Sequence, residues 1–111
     1  MFQTILTLYG LQQVAASVST GVPINLTNMA VGDGGGSAVT PTESMTALVN
    51  ERYRSTVNRV QQDPANLTRY YVEMLIPATV GGWTIREYGI FDAGGNLFAV
   101  GNFPASYKTL P

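Results

Sequence analysis

The second half of this chain alternates with a period of two, and that feature constrains the fold most. From about Arg52, Tyr53, Ser55 and Val57 stand against Arg54, Thr56 and Asn58. Further on, Tyr70, Val72, Met74 and Ile76 stand against Tyr71, Glu73 and Leu75. Extended backbone points successive side chains to opposite faces, so this spacing predicts strands. Turn formers separate them. Asp63-Pro64-Ala65-Asn66 ends the first run, Pro77 ends the second, and Gly81-Gly82 allow a sharp reversal. Asp92-Ala93-Gly94-Gly95-Asn96 lies between Trp83–Phe91 and Leu97–Phe103, a strong hairpin signal of the Gly-containing five-residue type. The tail from Ala105 to Pro111 reads as irregular.

Ahead of this meander the period is longer. Ile5, Leu8, Tyr9, Gln12 and Ala15 or Ala16 fall at helical spacing, and Leu11, Val14 and Val18 widen the apolar stripe. Thr7 as cap predicts a helix running to about Val18, with Gly21 as its stop. Gly10 weakens its first turns by about 1 kcal/mol relative to Ala. Ile24 to Val31 reads as a mostly buried strand, and Gly32 to Ser37 as a mobile loop whose glycines take positive φ. Thr40, Pro41 and Glu43 form a capping box, which predicts a second helix with Met45, Leu48, Val49 and Tyr53 on its stripe. The expected class is α+β: an N-terminal helix, a strand, a second helix, then an antiparallel β-meander. All of it fits one domain over residues 1–111.

Laid out as a meander, a turn between Thr79 and Val80 sets Glu73 opposite Arg86, Ile76 opposite Trp83 and Met74 opposite Ile85. The other turns pair Val57 with Val72 and Phe91 with Leu97. One face then gathers Tyr53, Val57, Val72, Met74, Ile76, Trp83, Ile85, Phe91, Leu97 and Phe103, the natural core side for two helices. Glu87 falls there too, either at a rim or in a hydrogen-bonded burial. The other face carries Arg54, Glu73 and Arg86, but also Tyr71, Leu75, Tyr88, Ile90, Phe98 and Val100. Those six are too apolar for water, which predicts a protein interface between copies or against a partner. The competing arrangement covers them within one chain, by the N-terminal helix or the Ile24–Val31 strand.

Composition closes several doors. The 111 residues include no cysteine and no histidine, which removes disulfides, thiol nucleophiles and imidazole metal ligands. Six Lys+Arg against seven Asp+Glu, without a basic cluster, argue against nucleic acid. No apolar stretch approaches the ~18 residues of a membrane span. Met1-Phe2-Gln3-Thr4 lacks the positive start of a signal peptide, so Ala15-Ala16-Ser17 reads as helix rather than cleavage site. Charged residues reach only 12%, about half the ~25% of ordinary domains, so part of the surface is expected to be covered by a partner.

Motifs for chemistry are weak. The glycine loop lacks the lysine that a phosphate cradle needs, and Asp33 would repel an anion. The acidic ligands and closing glutamate of a calcium loop are missing too. Glu73 and Glu87 are the best carboxylate pair for glycoside hydrolysis, but a structural ion pair of Arg86 with either is favoured. Asn25-Leu26-Thr27 and Asn66-Leu67-Thr68 match the glycosylation pattern by chance. Six Tyr, four Phe and Trp83 suit a sugar-stacking platform, or more simply core and interface packing. No catalytic residue, cofactor or metal is expected.

A series of stretches taken together is more specific. Met29-Ala30-Val31-Gly32-Asp33-Gly34-Gly35-Gly36 leads to Thr40-Pro41-Thr42-Glu43, then to Thr46-Ala47-Leu48-Val49-Asn50-Glu51-Arg52-Tyr53-Arg54. Val57-Asn58-Arg59 and Asp63-Pro64-Ala65-Asn66 follow. Gly81-Gly82-Trp83-Thr84-Ile85-Arg86-Glu87-Tyr88-Gly89-Ile90-Phe91-Asp92 continues through Ala99-Val100-Gly101-Asn102 to Pro104-Ala105-Ser106-Tyr107-Lys108. In this order they resemble the N-terminal domain of tail fibre (tail-collar fibre) proteins of contractile-tailed bacteriophages and R-type pyocins; Thr7-Leu8-Tyr9-Gly10 fits the opening helix.

The resemblance implies a virion structural protein, not an enzyme: a homotrimeric module that anchors the fibre to baseplate proteins and serves host attachment. It implies no nucleic acid, no membrane insertion, and assembly in the host bacterial cytoplasm. The family continues past the Tyr-Lys motif into a further strand and a shaft, whereas this sequence ends at Pro111. It is therefore expected to be part of a longer fibre, or a short adaptor for a distal fibre or receptor-binding protein. The alternative function is a carbohydrate- or receptor-binding module using surface aromatics.

Overall fold

Thr7 ties helix and sheet together. In this computed structural model, which describes residues 4–109 and only the backbone of 67–70 and 103, the Thr7 hydroxyl accepts from the Gly10 amide at 3.0 Å and donates to the Leu97 carbonyl at 2.7 Å. The first bond caps α1 (Leu8–Thr20); Gly21 ends it at φ 74°. Gly10 is required where it stands, because a Cβ there would collide with the Phe98 carbonyl oxygen. What the glycine costs the helix permits the close approach to the strand.

Seven strands accompany α1 among the described residues: β1 (Thr4–Leu6), β2 (Leu26–Gly32), β3 (Glu51–Thr56), β4 (Arg59–Asp63), β5 (Asn66–Glu73), β6 (Trp83–Asp92) and β7 (Leu97–Lys108). Five make an antiparallel sheet in the order β1-β7-β6-β2-β3, while β4 and β5 form a separate two-stranded ribbon. The expected α+β class is thus corrected to a mainly β fold with one α-helix. Residues Met1-Phe2-Gln3 and the Phe103 side chain, on which two of the expectations fell, lie outside the described residues.

The second helix does not form. Residues 40–50 run as turns and bends, despite the capping box at Thr40-Pro41-Glu43. Tertiary bonds outbid it. The Glu43 carbonyl accepts from the Leu8 amide at 2.8 Å, and the amides of Val49 and Asn50 are taken by the Glu87 carboxylate. Leu48 is buried with Ala30, Phe91, Leu97 and Val100, and Met45 packs against them, so this segment lids the sheet as irregular chain.

The meander is also corrected. β2 inserts between β3 and β6, so β5 and β6 fall in different sheets. Glu73 stands opposite Arg59, not Arg86; Val72 opposite Val60, not Val57; and Trp83 opposite Lys108, not Ile76. Met74 is in no strand, and Ile85 pairs with Ser106. The expected run from Arg52 to Asp63 breaks at Val57 and Asn58, whose amides bond Thr27 and Glu73. The supposedly irregular tail is strand as far as Lys108. Phe91 does pair with Leu97, as the turn predicts.

One bulge redistributes the faces. Phe91 pairs with Leu97 and Ile90 with Ala99, leaving Phe98 as the extra residue on β7. A one-residue slip sends every later side chain to the other face. Val100 therefore joins Phe91 and Leu97 under the 37–50 segment. Ile90, Phe98 and Ala99 pack with Val14 of α1, Leu26 and the partly buried Val72 on the opposite side. Both faces of the sheet are covered from within the chain, one by a helix and one by a loop.

Candidate interaction surface

Glu87 explains the glycine loop. It is 0% exposed, and its carboxylate accepts from the Gly34 amide at 3.0 Å and from the Val49 and Asn50 amides at 2.8 Å each. Gly34 and Gly35 take φ of 66° and 71°, which aims the Gly34 amide inward. An anion does sit in the glycine cradle, and it belongs to this chain. The Glu73–Glu87 pair has no catalytic geometry: Glu73 is exposed on the ribbon, while Glu87 is fully engaged by backbone.

The same loop is pinned from outside. Asp33 accepts from the Gly35 amide at 2.9 Å, Asn50 Nδ2 at 2.8 Å and Arg52 at 3.1 Å. The amide first, then the Asn50 side chain and the Arg52 charge, hold the Asp33 carboxyl below its ordinary range. Arg86 donates to the Asp33 carbonyl at 3.0 Å rather than forming the ion pair with a glutamate that the sequence suggests. The expected mobile loop is therefore a tethered corner.

At the other end, Tyr9 donates a hydrogen bond to Asp92 Oδ2, while Oδ1 accepts from the Gly94 and Asn96 amides at 3.0 Å. Burial pushes the Asp92 carboxyl up, but Tyr9 and these amides outweigh it and leave the group below its ordinary value. The hydrogen bond to Asp92 raises the Tyr9 hydroxyl. These carboxylates hold the fold, and among the described residues no group of three His, Cys, Asp or Glu could hold a metal. Nor is any helix there long and apolar enough to cross a membrane.

The six residues expected at an interface separate. Phe98 is 1% exposed, Val100 is buried and so is Ile90, all inside the chain's own core. Tyr88 is half-buried across from Gly101, where a Cβ would strike its ring. Tyr71 and Leu75 remain outside, at 52% and 75% exposure. Tyr71 sits on the outer side of β5; Leu75 lies just past that strand. Trp83, the centre of the sugar-platform reading, is buried with the Arg52 guanidinium 5.6 Å from its ring centroid. Hollows formed by the described residues include one of about 600 Å³ between β1, Leu11 and Pro41–Glu43, and one of about 260 Å³ between α1 and the 92–94 turn. Sequence reasoning missed the first because it did not anticipate β1, whose three residues are too few to show a period.

The model for the N-terminal part of the phage tail-collar fibre proteins matches residues 1–111. The chain is also 40% identical over 108 residues to a protein of Escherichia phage P2 described as "Probable tail fiber protein". That alignment covers 96% of this chain but 16% of the relative, so the chain spans a small part of that protein's length. No solved structure matches it. The chain belongs to the phage tail-collar fibre protein family, as a structural protein of the phage tail fibre.

Proposed function

We propose that this chain anchors a tail fibre to the baseplate of a contractile phage tail or tail-like particle and so serves host attachment. It works as a homotrimeric, non-enzymatic connector that joins the virion during assembly in the host cytoplasm. The observation that carries this reading is the match of the family's N-terminal part to the whole chain. The ribbon supplies a docking surface. An isolated two-stranded ribbon is marginal in water; this one rests on the core through Val72 and turns Tyr71 outward, with Leu75 beside it.

The test is incorporation. The chain carrying Tyr71→Asp and Leu75→Asp, co-expressed with the remaining tail genes, is expected to stay folded and to be lost from sedimented particles. Both side chains are exposed, and thermal melting separates a loss of docking from a loss of folding. Incorporation of the double variant at the parental level refutes the ribbon as the docking surface. Particles that recruit their fibres without this chain refute the anchoring role itself.

A further inference from the structure

The Asp33-Gly34 peptide link has a chemistry of its own. Of the three aspartates in the sequence only Asp33 precedes a glycine, and no asparagine does. Glycine has no side chain to shield its amide nitrogen. In a free chain that nitrogen attacks Cγ of the aspartate before it. A C–N bond forms and a C–O bond breaks, and one water leaves, made from the amide proton and the hydroxyl of the protonated carboxyl. The product is a five-membered succinimide, which water opens at either carbonyl. One direction restores aspartate. The other leaves isoaspartate, in which the main chain runs through the former side chain and is one methylene longer.

The folded corner blocks this closure at both reactants. Asp33 takes φ −100° and ψ 3°, which sets the Gly34 nitrogen about 120° of rotation away from the Cβ it must eclipse. Turning that far breaks the bond of the Gly34 amide to Glu87 and that of the Asp33 carbonyl to Arg86, each 3.0 Å long. The carboxyl is fixed as well, by the Gly35 amide, Asn50 and Arg52. These contacts favour its ionised form, the poorer electrophile. Gly34 itself is buried, away from the water that the second step consumes.

We infer that Asp33-Gly34 is a self-modification site held dormant by the Glu87 corner: while the corner is open, the Gly34 nitrogen closes on Asp33, and the isoaspartate that follows no longer fits. Its carboxylate stands on Cα instead of Cβ, one atom short of Gly35, Asn50 and Arg52, and the Gly34 amide is displaced from Glu87. A reversible local opening thereby becomes permanent. The test is incubation at neutral pH, read by mass spectrometry of the peptide holding residue 33 and by enzymatic methylation of isoaspartate. The parent should isomerise at residue 33 in guanidinium, and at least about tenfold more slowly when folded, because the rate follows the open fraction. Glu87→Gln should raise the folded rate by about tenfold, and Arg52→Ala, which removes an exposed partner, by less. The isoaspartyl chain, isolated and returned to native buffer, should lack hydrogen-exchange protection at Val49 and Asn50. Absence of isoaspartate in guanidinium removes the site. Equal rates in the folded and unfolded parent remove the protection. Folded variants that react no faster than the parent, or an isoaspartyl chain that regains parental protection, overturn the role of the corner.

Discussion

Glu87→Gln isolates the internal carboxylate with the least change of shape. Three backbone amides converge on two carboxylate oxygens at 2.8–3.0 Å. A glutamine offers one carbonyl oxygen, able to accept two of them, and turns its NH₂ toward the third. That leaves one buried donor unmet, and two new donors in a site arranged for acceptors. An unsatisfied buried donor costs about 1–3 kcal/mol, so the expected loss is about 2–3 kcal/mol. Unfolding entropy of about 2.1 cal/mol/K per residue over 111 residues gives about 0.23 kcal/mol/K, hence a Tm lower by about 10 °C. Calorimetry at pH 7 reads it, with exposed Glu73→Gln as the control expected to move by about 0.5 kcal/mol or less. Hydrogen exchange adds a local signature. Val49 and Asn50 lie outside every helix and strand, so their amide protection depends on Glu87 and should fall before that of the sheet. A drop in Tm of about 2 °C or less, with those amides still protected, refutes the argument.

Two further outcomes follow from the packing and the carboxylates. Gly10→Ala, which should favour an exposed helix by about 1 kcal/mol, is expected instead to destabilise by about 2 kcal/mol or more, because the methyl meets the Phe98 carbonyl; urea unfolding gives the sign. Asp33 and Asp92 both titrate below their ordinary value when folded, so their contribution is complete above that value and is lost as pH falls through about 4 and lower. Melting scans from pH 7 to pH 2 should show this loss, with a shallower slope in Asp92→Asn.

Local signals were read well, and distant ones were not. Thr7 and Gly21 bound α1 because caps are made within a few residues, and the 92–96 turn set Phe91 against Leu97 for the same reason. The capping box at Thr40 is equally local and failed, since its segment is claimed by a glutamate 37 and 38 residues further on. No alternation reveals that β2 enters between β3 and β6, because strand order is a property of the closed sheet. The extra residue at Phe98 was equally invisible, and it alone moved Val100 away from the face shared by Ile90. Of the six side chains that polarity singled out, Tyr71 and Leu75 lie at the surface. Polarity could not tell them from Ile90 and Phe98, which the helix covers. Glu87 was noticed as out of place, and its three amide partners could be found only in the fold.

The length of β7 has a mechanical side. This strand runs from Leu97 to Lys108 and pairs along β6 from Phe91 to Trp83, while its other edge holds β1. Antiparallel hydrogen bonds lie across the strand axis. A pull along β7 from its Lys108 end therefore shears the whole ladder together, instead of peeling one pair after another. The tension passes along this strand, second in the five-stranded sheet, to α1, which Thr7 binds to the same strand. Such a pull meets its stiffest resistance in that direction, and the ribbon of β4 and β5, which shares no ladder with β7, is spared the strain.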